Sequence, residues 1–328
     1  MSKISAIIVA DSINQQGDRI TSMLVTFPRF ILAELNTHRM LSKNSASSRA
    51  IPFKKMVESV TNNPFIPIAW QKEHKGMQGT EYADTAVTND IKDQWLNARD
   101  VAVNKAKMLT QYGVTKQLAN RLLEPFMWHT VLITATEWEN FFSLRCPQYT
   151  FEGDSFSRVY RSKKDALKEG FTPNDEVKNP SILEWLEVNK GQAEIHMMAL
   201  AEDMWDAMNE SIPKELKAGY WHIPFEDKIV QGYINSGTND RTISKETLVK
   251  ISTAMSARTS YTIVGDEKEF SYEKQIELHD RMVNQVPRHS SPMEHCAQAQ
   301  DNSDLFFNLK GFKSYRYFLD KGLSISSF

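Results

Sequence analysis

The 328-residue chain has little cysteine and no long apolar run: its only cysteines are Cys146 and Cys296. Two thiols exclude a disulfide scaffold and a four-cysteine zinc site, and they are typical of a reducing compartment, so we expect a cytoplasmic protein. No apolar run approaches the about 18 residues that a membrane-spanning helix needs. The apolar stretch at the amino terminus meets Asp11 at once, which predicts a buried strand and not a signal peptide.

The chain also has no large excess of one charge, because its 39 Lys and Arg residues nearly balance its 41 Asp and Glu residues and the formal net charge is −2. This balance argues against binding to nucleic acid or to an anionic membrane. The chain contains neither G-x-G-x-x-G after a strand nor G-x-x-x-x-G-K-[ST], so dinucleotide-binding and P-loop folds are unsupported. A hydrophobic content of 41% indicates a globular protein with one or two domains.

Strand and helix patterns alternate without a regular βαβ rhythm. Residues 4–10 and 20–27 predict a β-hairpin, Pro28 opens a helix that runs to His38, and residues 42–49 are typical of a loop. Further helices are predicted at 92–110, 115–123, 137–144, 244–256 and 271–285, with strands at 130–135 and 305–309. A capping box at Ser181 and Glu184 follows an irregular stretch, and a long helix then runs towards Pro213. The mixture favours an α+β fold with helices packed on an antiparallel sheet.

The densest polar group begins at His38 and Arg39 and ends, after seven residues, at Ser47, Ser48 and Arg49. Arginine offers paired donors, and serine hydroxyls and loop N–H groups complete the shell of a phosphate. The alternative, with equal support from spacing, is a solvated serine-rich loop. The pattern therefore predicts a phosphate site without excluding an ordinary loop.

Two further arginines lie in apolar surroundings. Arg121 stands between Leu118 and Leu122, which helical spacing predicts to be buried, and Arg145 follows two phenylalanines. A guanidinium beside a buried face needs an anion or a carboxylate. The alternative for each arginine is a structural ion pair, for example with Glu124 or Glu194.

A metal site and an activated thiol receive less support. His289, Glu294 and His295 carry ligand atoms, but their spacing around Pro292 is not that of a helical ligand pair and no third ligand is apparent. We therefore expect no metal. Cys146 beside Arg145 could be an activated thiolate, whereas a small buried residue is the simpler interpretation.

The segment THRMLSKNSASSR resembles the signature of flavin-dependent thymidylate synthases, the ThyX family. That signature is R-H-R, seven residues, a serine and a closing arginine. His38, Arg39, Ser47 and Arg49 match it, whereas Thr37 replaces the first arginine and Ser45 stands where glutamate is usual. Three further segments, at 112–125, 134–145 and 192–195, resemble the family's following blocks.

The order of the blocks departs from that of the family. Residues 256–262 and 289–295 resemble its opening segments but come last here, so the chain resembles a circular permutation. About 46 residues separate two blocks that are almost adjacent in the family. The resemblance therefore implies one ThyX-like catalytic domain over 1–328 with an inserted surface segment at about 147–189.

The resemblance implies an enzyme that methylates dUMP to dTMP. Methylenetetrahydrofolate would donate the carbon and NADPH-reduced FAD the reducing equivalents, in a homotetramer with active sites at subunit interfaces. The residues implied for dUMP are Glu34, Ser45, Ala46, Ser47, Ser48, Arg49, Arg121, Arg145 and Arg316; those implied for FAD are His38, Arg39, Asn44, Asn140, Lys190, Ser260, Ser291 and Glu294.

Three of these residues are assigned to catalysis, namely Arg145, Arg49 and Ser47. Arginines around the uracil can stabilise negative charge on its oxygens, so no cysteine nucleophile is required. Ser47 is better explained as a phosphate ligand than as a nucleophile.

Departures from the signature leave two alternatives. Thr37 lacks a guanidinium, which we expect Arg316 to replace, and Lys190, Thr134 and Thr136 stand where the family often has His, Asn and Arg. One alternative is hydroxymethyl transfer to dUMP or dCMP on the same fold, which would not consume NADPH. The other is an inactive flavin- or nucleotide-binding scaffold, although Arg39, Arg49, Arg121 and Arg145 are all retained.

Overall fold

The structure of the protein is a computed structural model that describes residues 3–75, 79, 81–235, 243–259 and 271–323. Its strands are β1 Ser5–Asn14, β2 Arg19–Pro28, β3 Ser42–Ser45, β4 Trp128–Ala135, β5 Tyr149–Gly153, β6 Phe156–Tyr160, β7 Lys214–Leu216, β8 Trp221–His222, β9 Ala297–Ala299, β10 Leu305–Phe306, β11 Leu309–Lys310 and β12 Phe312–Ser314. Its helices are α1 Leu32–Leu35, α2 Phe53–Asn62, α3 Thr85–Gln111, α4 Lys116–Ala119, α5 Glu139–Arg145, α6 Lys163–Lys168, α7 Ile182–Glu187, α8 Ile195–Glu210, α9 Glu226–Asn235, α10 Lys245–Arg258, α11 Tyr272–Asn284 and α12 Tyr315–Lys321. The predicted α+β class is confirmed.

A five-stranded sheet in the order β3-β4-β2-β1-β7 forms the centre of the first two thirds of the chain. The predicted hairpin is confirmed as β1 and β2, which turn at Gly17 with φ of +86°. All neighbours in this sheet are antiparallel except β1 and β7, which are parallel. Helices α5 and α8 cover it, and residues such as Met23, Ile133 and Met197 are fully buried between them.

The predicted loop at 42–49 is wrong for its first half. Ser42–Ser45 is the edge strand β3, which pairs with β4 from Ser42 opposite Thr134 to Ser45 opposite Val131. Its polar sequence gives no strand pattern, and the pairing with the apolar β4 decides the conformation. The helix predicted from Pro28 to His38 is also shorter, since a 3-10 turn at Arg29–Ile31 precedes the single turn of α1.

The segment predicted to be irregular before residue 180 contains regular structure. Strands β5 and β6 pair there, α6 follows, and Tyr149, Ala166 and Trp185 form a small core of their own. The capping box of Ser181 and Glu184 is confirmed at the start of α7. Whether this segment is an insertion stays a prediction.

Two other boundaries differ from the sequence patterns. Pro125 lies inside a 3-10 helix, Asn120–Phe126, that continues α4. The strand predicted at 305–309 is split into β10 and β11, because Phe307 adopts a left-handed conformation with φ of +57°. No helix among the residues that the structure describes is long and apolar enough to span a membrane.

Helices α9 to α12 pack around a second core in the last third of the chain, with Ile251 and Met293 fully buried. The 3-10 turn Ser291–Glu294 lies between this core and β3. Strand β3 is therefore the edge of the main sheet that faces the carboxyl-terminal helices, with His38 and Arg145 near its first end and Ser48 and Glu124 near its last.

Candidate active site

Arg145, the last residue of α5, is held by two side chains from the region of α1. Its Nε donates a hydrogen bond to His38 Nε2 at 2.9 Å, and its Nη1 pairs with the Glu34 carboxylate. The Phe141 ring, one turn earlier on α5, packs edge-on against His38 with ring centroids 4.9 Å apart. The carboxylate partner of Arg145 is thus Glu34, and neither Glu124 nor Glu194 takes that place.

The hydrogen bond from Arg145 requires an unprotonated Nε2 on His38. Burial, together with the positive charges of Arg145 and Lys43, lowers the pKa of His38 to about 4. Burial also raises the pKa of Glu34, although Arg145 opposes that shift. At neutral pH the cluster therefore combines a neutral histidine that accepts with a guanidinium of fixed orientation.

Lys43 is a charged residue of this cluster that the sequence analysis missed. Its Nζ donates to the backbone oxygen of His38 at 2.6 Å and to that of Leu35 at 3.5 Å. Burial lowers the pKa of Lys43 to about 8, with Glu294 opposing the shift. No signal in the sequence indicated it, because a lysine in a predicted loop is expected to face solvent.

The other end of β3 leads into a turn that presents hydroxyl groups. Ala46 N donates to Thr130 O at 2.9 Å, and Ala50 N donates to Ser47 O at 3.0 Å. Ser48 Oγ donates to Glu124 Oε1 at 2.9 Å. Arg49 is exposed and forms no hydrogen bond or ion pair with any described residue.

Arg121 shares the carboxylate of Glu124, to which its Nη1 donates at 2.8 Å. The ion-pair alternative is thus present for this arginine. The predicted burial of Leu118 and Leu122 is wrong, since they are 63% and 40% exposed. The helix α4 is only one turn long, and Ala119 and Leu123 are the residues that face the interior.

Some residues assigned to FAD lie together and others do not. Ser291 Oγ donates to Asn44 Oδ1 at 3.0 Å, so the blocks at 37–49 and 289–295 are in contact. Glu294 pairs with Arg316 at 2.5 Å, and Arg316 also pairs with Asp320 at 3.1 Å.

Other assigned residues remain apart from these contacts. Arg39, Asn140 and Lys190 are exposed, and the backbone of Lys190 bonds to Gln148 O. Ser45 and Ser47 are half-buried. Ser260 lies outside the described residues.

Three threonines that depart from the family's usual residues, Thr37, Thr134 and Thr136, have structural partners. The Thr37 hydroxyl donates to Glu34 O at 2.7 Å, and Thr136 Oγ1 accepts from Lys310 N at 2.9 Å. Thr134 is fully buried and bonds to Ser22 and His295. Burial raises the pKa of Cys146 above its usual range, so this residue is an unreactive thiol and not an activated thiolate.

No protein-family model matches the chain, and no curated protein matches it. Among solved structures, it is similar to a UMP/dUMP methylase, PolB from Streptomyces cacaoi, bound with 5-Br dUMP. The TM-score is 0.41 and the identity 14%, over 63% of this chain and 90% of that chain. A second structure, of PolB bound with 5-Br UMP, gives a TM-score of 0.35 and 18% identity over 44% of this chain and 78% of that chain. TM-scores this low carry no argument about function.

Proposed function

We propose that the chain is a flavin-dependent thymidylate synthase that methylates dUMP with methylenetetrahydrofolate as the carbon donor. The observation that carries the proposal is the pair of polar clusters at the two ends of β3. Arg145, fixed by His38 and Glu34, lies near one end, and Ser48 and Arg121 lie near the other. From its first to its last residue β3 rises roughly 10 Å, which is comparable to the distance between base and phosphate in a nucleotide.

In this proposal each cluster has one task. Ser47, Ser48, Arg49 and Arg121 bind the phosphate of dUMP, because arginines and hydroxyls supply directed donors to its oxygens. Arg145 lies against the uracil and stabilises negative charge on a ring oxygen when carbon 5 reacts. Its hydrogen bonds to His38 and Glu34 keep the guanidinium in place before the ligand arrives.

The residues near His38 fit a dinucleotide cofactor with a diphosphate. Arg39 is exposed and has no hydrogen-bond or ion-pair partner for its side chain among the described residues, so its charge is available to an anion. Asn140 is exposed on α5, the helix that carries Arg145. We therefore assign FAD to His38, Arg39 and Asn140, with Asn44, Ser291 and Glu294 beside them; when bound, FAD supplies reducing equivalents taken from NADPH.

We also propose a homotetramer, as the family resemblance implies. Val101 and Met108 on α3 and Tyr112 at its carboxyl end are exposed apolar residues, at 58%, 42% and 79% exposure, and they are spaced seven and four residues apart on one face. Apolar side chains at helical spacing on one face are typical of subunit contacts. Light scattering of the purified protein measures the molar mass of the assembly. If Met108→Lys makes the protein monomeric, this face of α3 forms the subunit contact.

The test of the reaction uses dUMP tritiated at carbon 5 with FAD, NADPH and methylenetetrahydrofolate. Tritium release matched by NADPH oxidation is the expected result. Release without NADPH oxidation would replace the proposal with hydroxymethyl transfer. The absence of release from both dUMP and labelled dCMP, with FAD and nucleotide bound, would leave only a binding scaffold.

A further inference from the structure

Arg29 is a half-buried arginine that no sequence motif marks. It follows β2 directly, and its backbone N donates to Met127 O at 2.9 Å, which sets it against the turn that carries Glu124. The side chain is 18% exposed. Its Nε is buried without a hydrogen-bond partner among the described residues, and its Nη2 stays 3.7 Å from Glu124 Oε1. That distance is too long for a hydrogen bond.

The carboxylate beside Arg29 is already engaged. Glu124 Oε1 accepts from Arg121 at 2.8 Å and from Ser48 at 2.9 Å, so one oxygen serves two shorter bonds before Arg29 approaches it. Two guanidinium groups therefore share one negative charge. Burial and Arg121 both lower the pKa of Arg29, and Glu124 only partly opposes them.

His129, whose pKa is lowered by burial and by the charge of Arg29, does not relieve this imbalance. His129 is buried, and its Nε2 has no hydrogen-bond partner among the described residues. Burial and the charge of Arg29 lower the pKa of His129 to about 3, so this side chain is neutral at physiological pH. A buried cation with too little negative charge around it is costly until an anion arrives.

We propose that Arg29 is a further guanidinium of the phosphate site formed by Ser47, Ser48, Arg49 and Arg121. In the ligand-free protein Glu124 stands where the phosphate oxygens bind, and it holds Arg121 and Ser48 in position. A phosphate monoester brings three terminal oxygens and up to two negative charges, so it satisfies Arg121, Ser48 and Arg29 together. The assignment of that phosphate to dUMP rests on the proposed function, whereas the anion site rests on the geometry.

The experiment measures the binding of three ligands to the full-length protein, with and without FAD, by calorimetry. The ligands are dUMP, deoxyuridine and inorganic phosphate. We expect Arg29→Gln to weaken dUMP and phosphate by about tenfold or more, the loss of a charged hydrogen bond, while deoxyuridine binding is unchanged. Arg29→Lys retains the charge and should lose less.

A second variant tests the role of Glu124. If its carboxylate competes with phosphate, Glu124→Gln should strengthen the binding of inorganic phosphate by severalfold. Arg161 lies on the segment at 147–189 and pairs with Glu139. Arg161→Gln is the control for Arg29→Gln, because it is the same substitution at an arginine outside the proposed site. It should leave all three affinities unchanged.

Two results would overturn the inference. The first is that Arg29→Gln binds phosphate as tightly as the wild type does. The second is that Arg29→Gln loses dUMP and deoxyuridine affinity equally, which would indicate a structural role. The proposed function is judged separately by tritium release. If phosphate binding depends on Arg29 but no tritium is released from dUMP, the inference stands and the proposed function fails. If tritium is released normally but phosphate binding does not depend on Arg29, the proposed function stands and the inference fails.

Discussion

The two ends of β3 each have an arginine beside a neutral histidine, but the two pairs are balanced differently. Near the first end Arg145 bonds to His38 and pairs with Glu34. Near the second end Arg29 forms no hydrogen bond through its guanidinium to any described residue, and Nε2 of its neighbour His129 is equally unpartnered within the described chain.

The difference shows that residue type alone does not define an anion site. The guanidinium of Arg145 has an acceptor at Nε and another at Nη1, so it presents a charge of fixed direction, as stabilisation of a developing charge requires. The group at Arg29 has donors in excess of acceptors, so it gains most from a ligand with several oxygens. We therefore assign the uracil to the first group and the phosphate to the second.

The largest effect is expected from Arg145→Met. Tritium release from dUMP should fall by about 10²–10³-fold, because the variant lacks the directed donor that we propose for the reacting ring. Glu34 would also be left half-buried without its cation, which should lower the melting temperature. Steady-state kinetics and thermal unfolding measure the two effects.

A double variant separates these effects. Arg145→Met combined with Glu34→Gln should regain stability without regaining turnover, because the uncompensated carboxylate is gone and the donor is still missing. Arg161→Met, which removes a paired arginine elsewhere, should alter neither quantity strongly. Turnover restored by the double variant would contradict the catalytic role of Arg145.

The second prediction concerns the pH dependence of stability at the first end. The pKa of His38 is about 4 in the folded protein and about 6.5 when unfolded, so the unfolded state binds this proton first as the pH falls. The contribution of His38 is complete above pH 6.5 and is lost as the pH falls towards 4. His38→Gln, which can still accept from Arg145, should take up about one proton fewer on unfolding in this window.

Urea unfolding between pH 4 and 7 measures how the free energy of unfolding changes with pH, and the slope of that change gives the proton uptake. His129→Gln provides the comparison at the second end, where the folded pKa of about 3 extends the window to lower pH. If His38→Gln left the pH dependence of the unfolding free energy unchanged, the pKa of His38 would not be lowered by burial and by Arg145 in the folded protein.

A smaller effect is expected from Ser48→Ala. In the proposed site the Ser48 hydroxyl would supply one uncharged donor to the phosphate, so dUMP and inorganic phosphate should bind the variant about fivefold more weakly and deoxyuridine equally well. Ser143→Ala removes a similar hydroxyl–carboxylate bond on α5 and is the control. A loss shared by deoxyuridine would assign Ser48 to folding of the turn.

The sequence predicted the elements whose signals are local. The hairpin of β1 and β2 and the capping box of α7 depend on residues close in the chain, and both were found. Strand β3 was missed because its conformation comes from pairing with β4, about 90 residues later in the chain.

The candidate site was predicted in its residue types more than in its contacts. His38 and Arg145 were both singled out, yet their bond joins positions 107 residues apart and has no local signal. Arg29 and Lys43 were missed for the same reason, since burial by distant segments gives each its unusual environment. Charge balance became visible only once the partners of each arginine were known.

The smallest effect is expected from Arg316→Ala. Our hypothesis from the sequence is that Arg316 supplies the guanidinium absent at Thr37. Two carboxylates, Glu294 and Asp320, already pair with the single charge of Arg316, whereas Arg145 and Arg121 each have one carboxylate partner, so a ligand gains less from Arg316. We expect at most about a threefold loss in dUMP affinity, measured by the same calorimetry. A loss of dUMP affinity as large as that expected for Arg29→Gln would show that an arginine paired with carboxylates can also bind the ligand. The number of acceptors around an arginine, which distinguishes the two ends of β3, would then not predict which arginines bind the ligand.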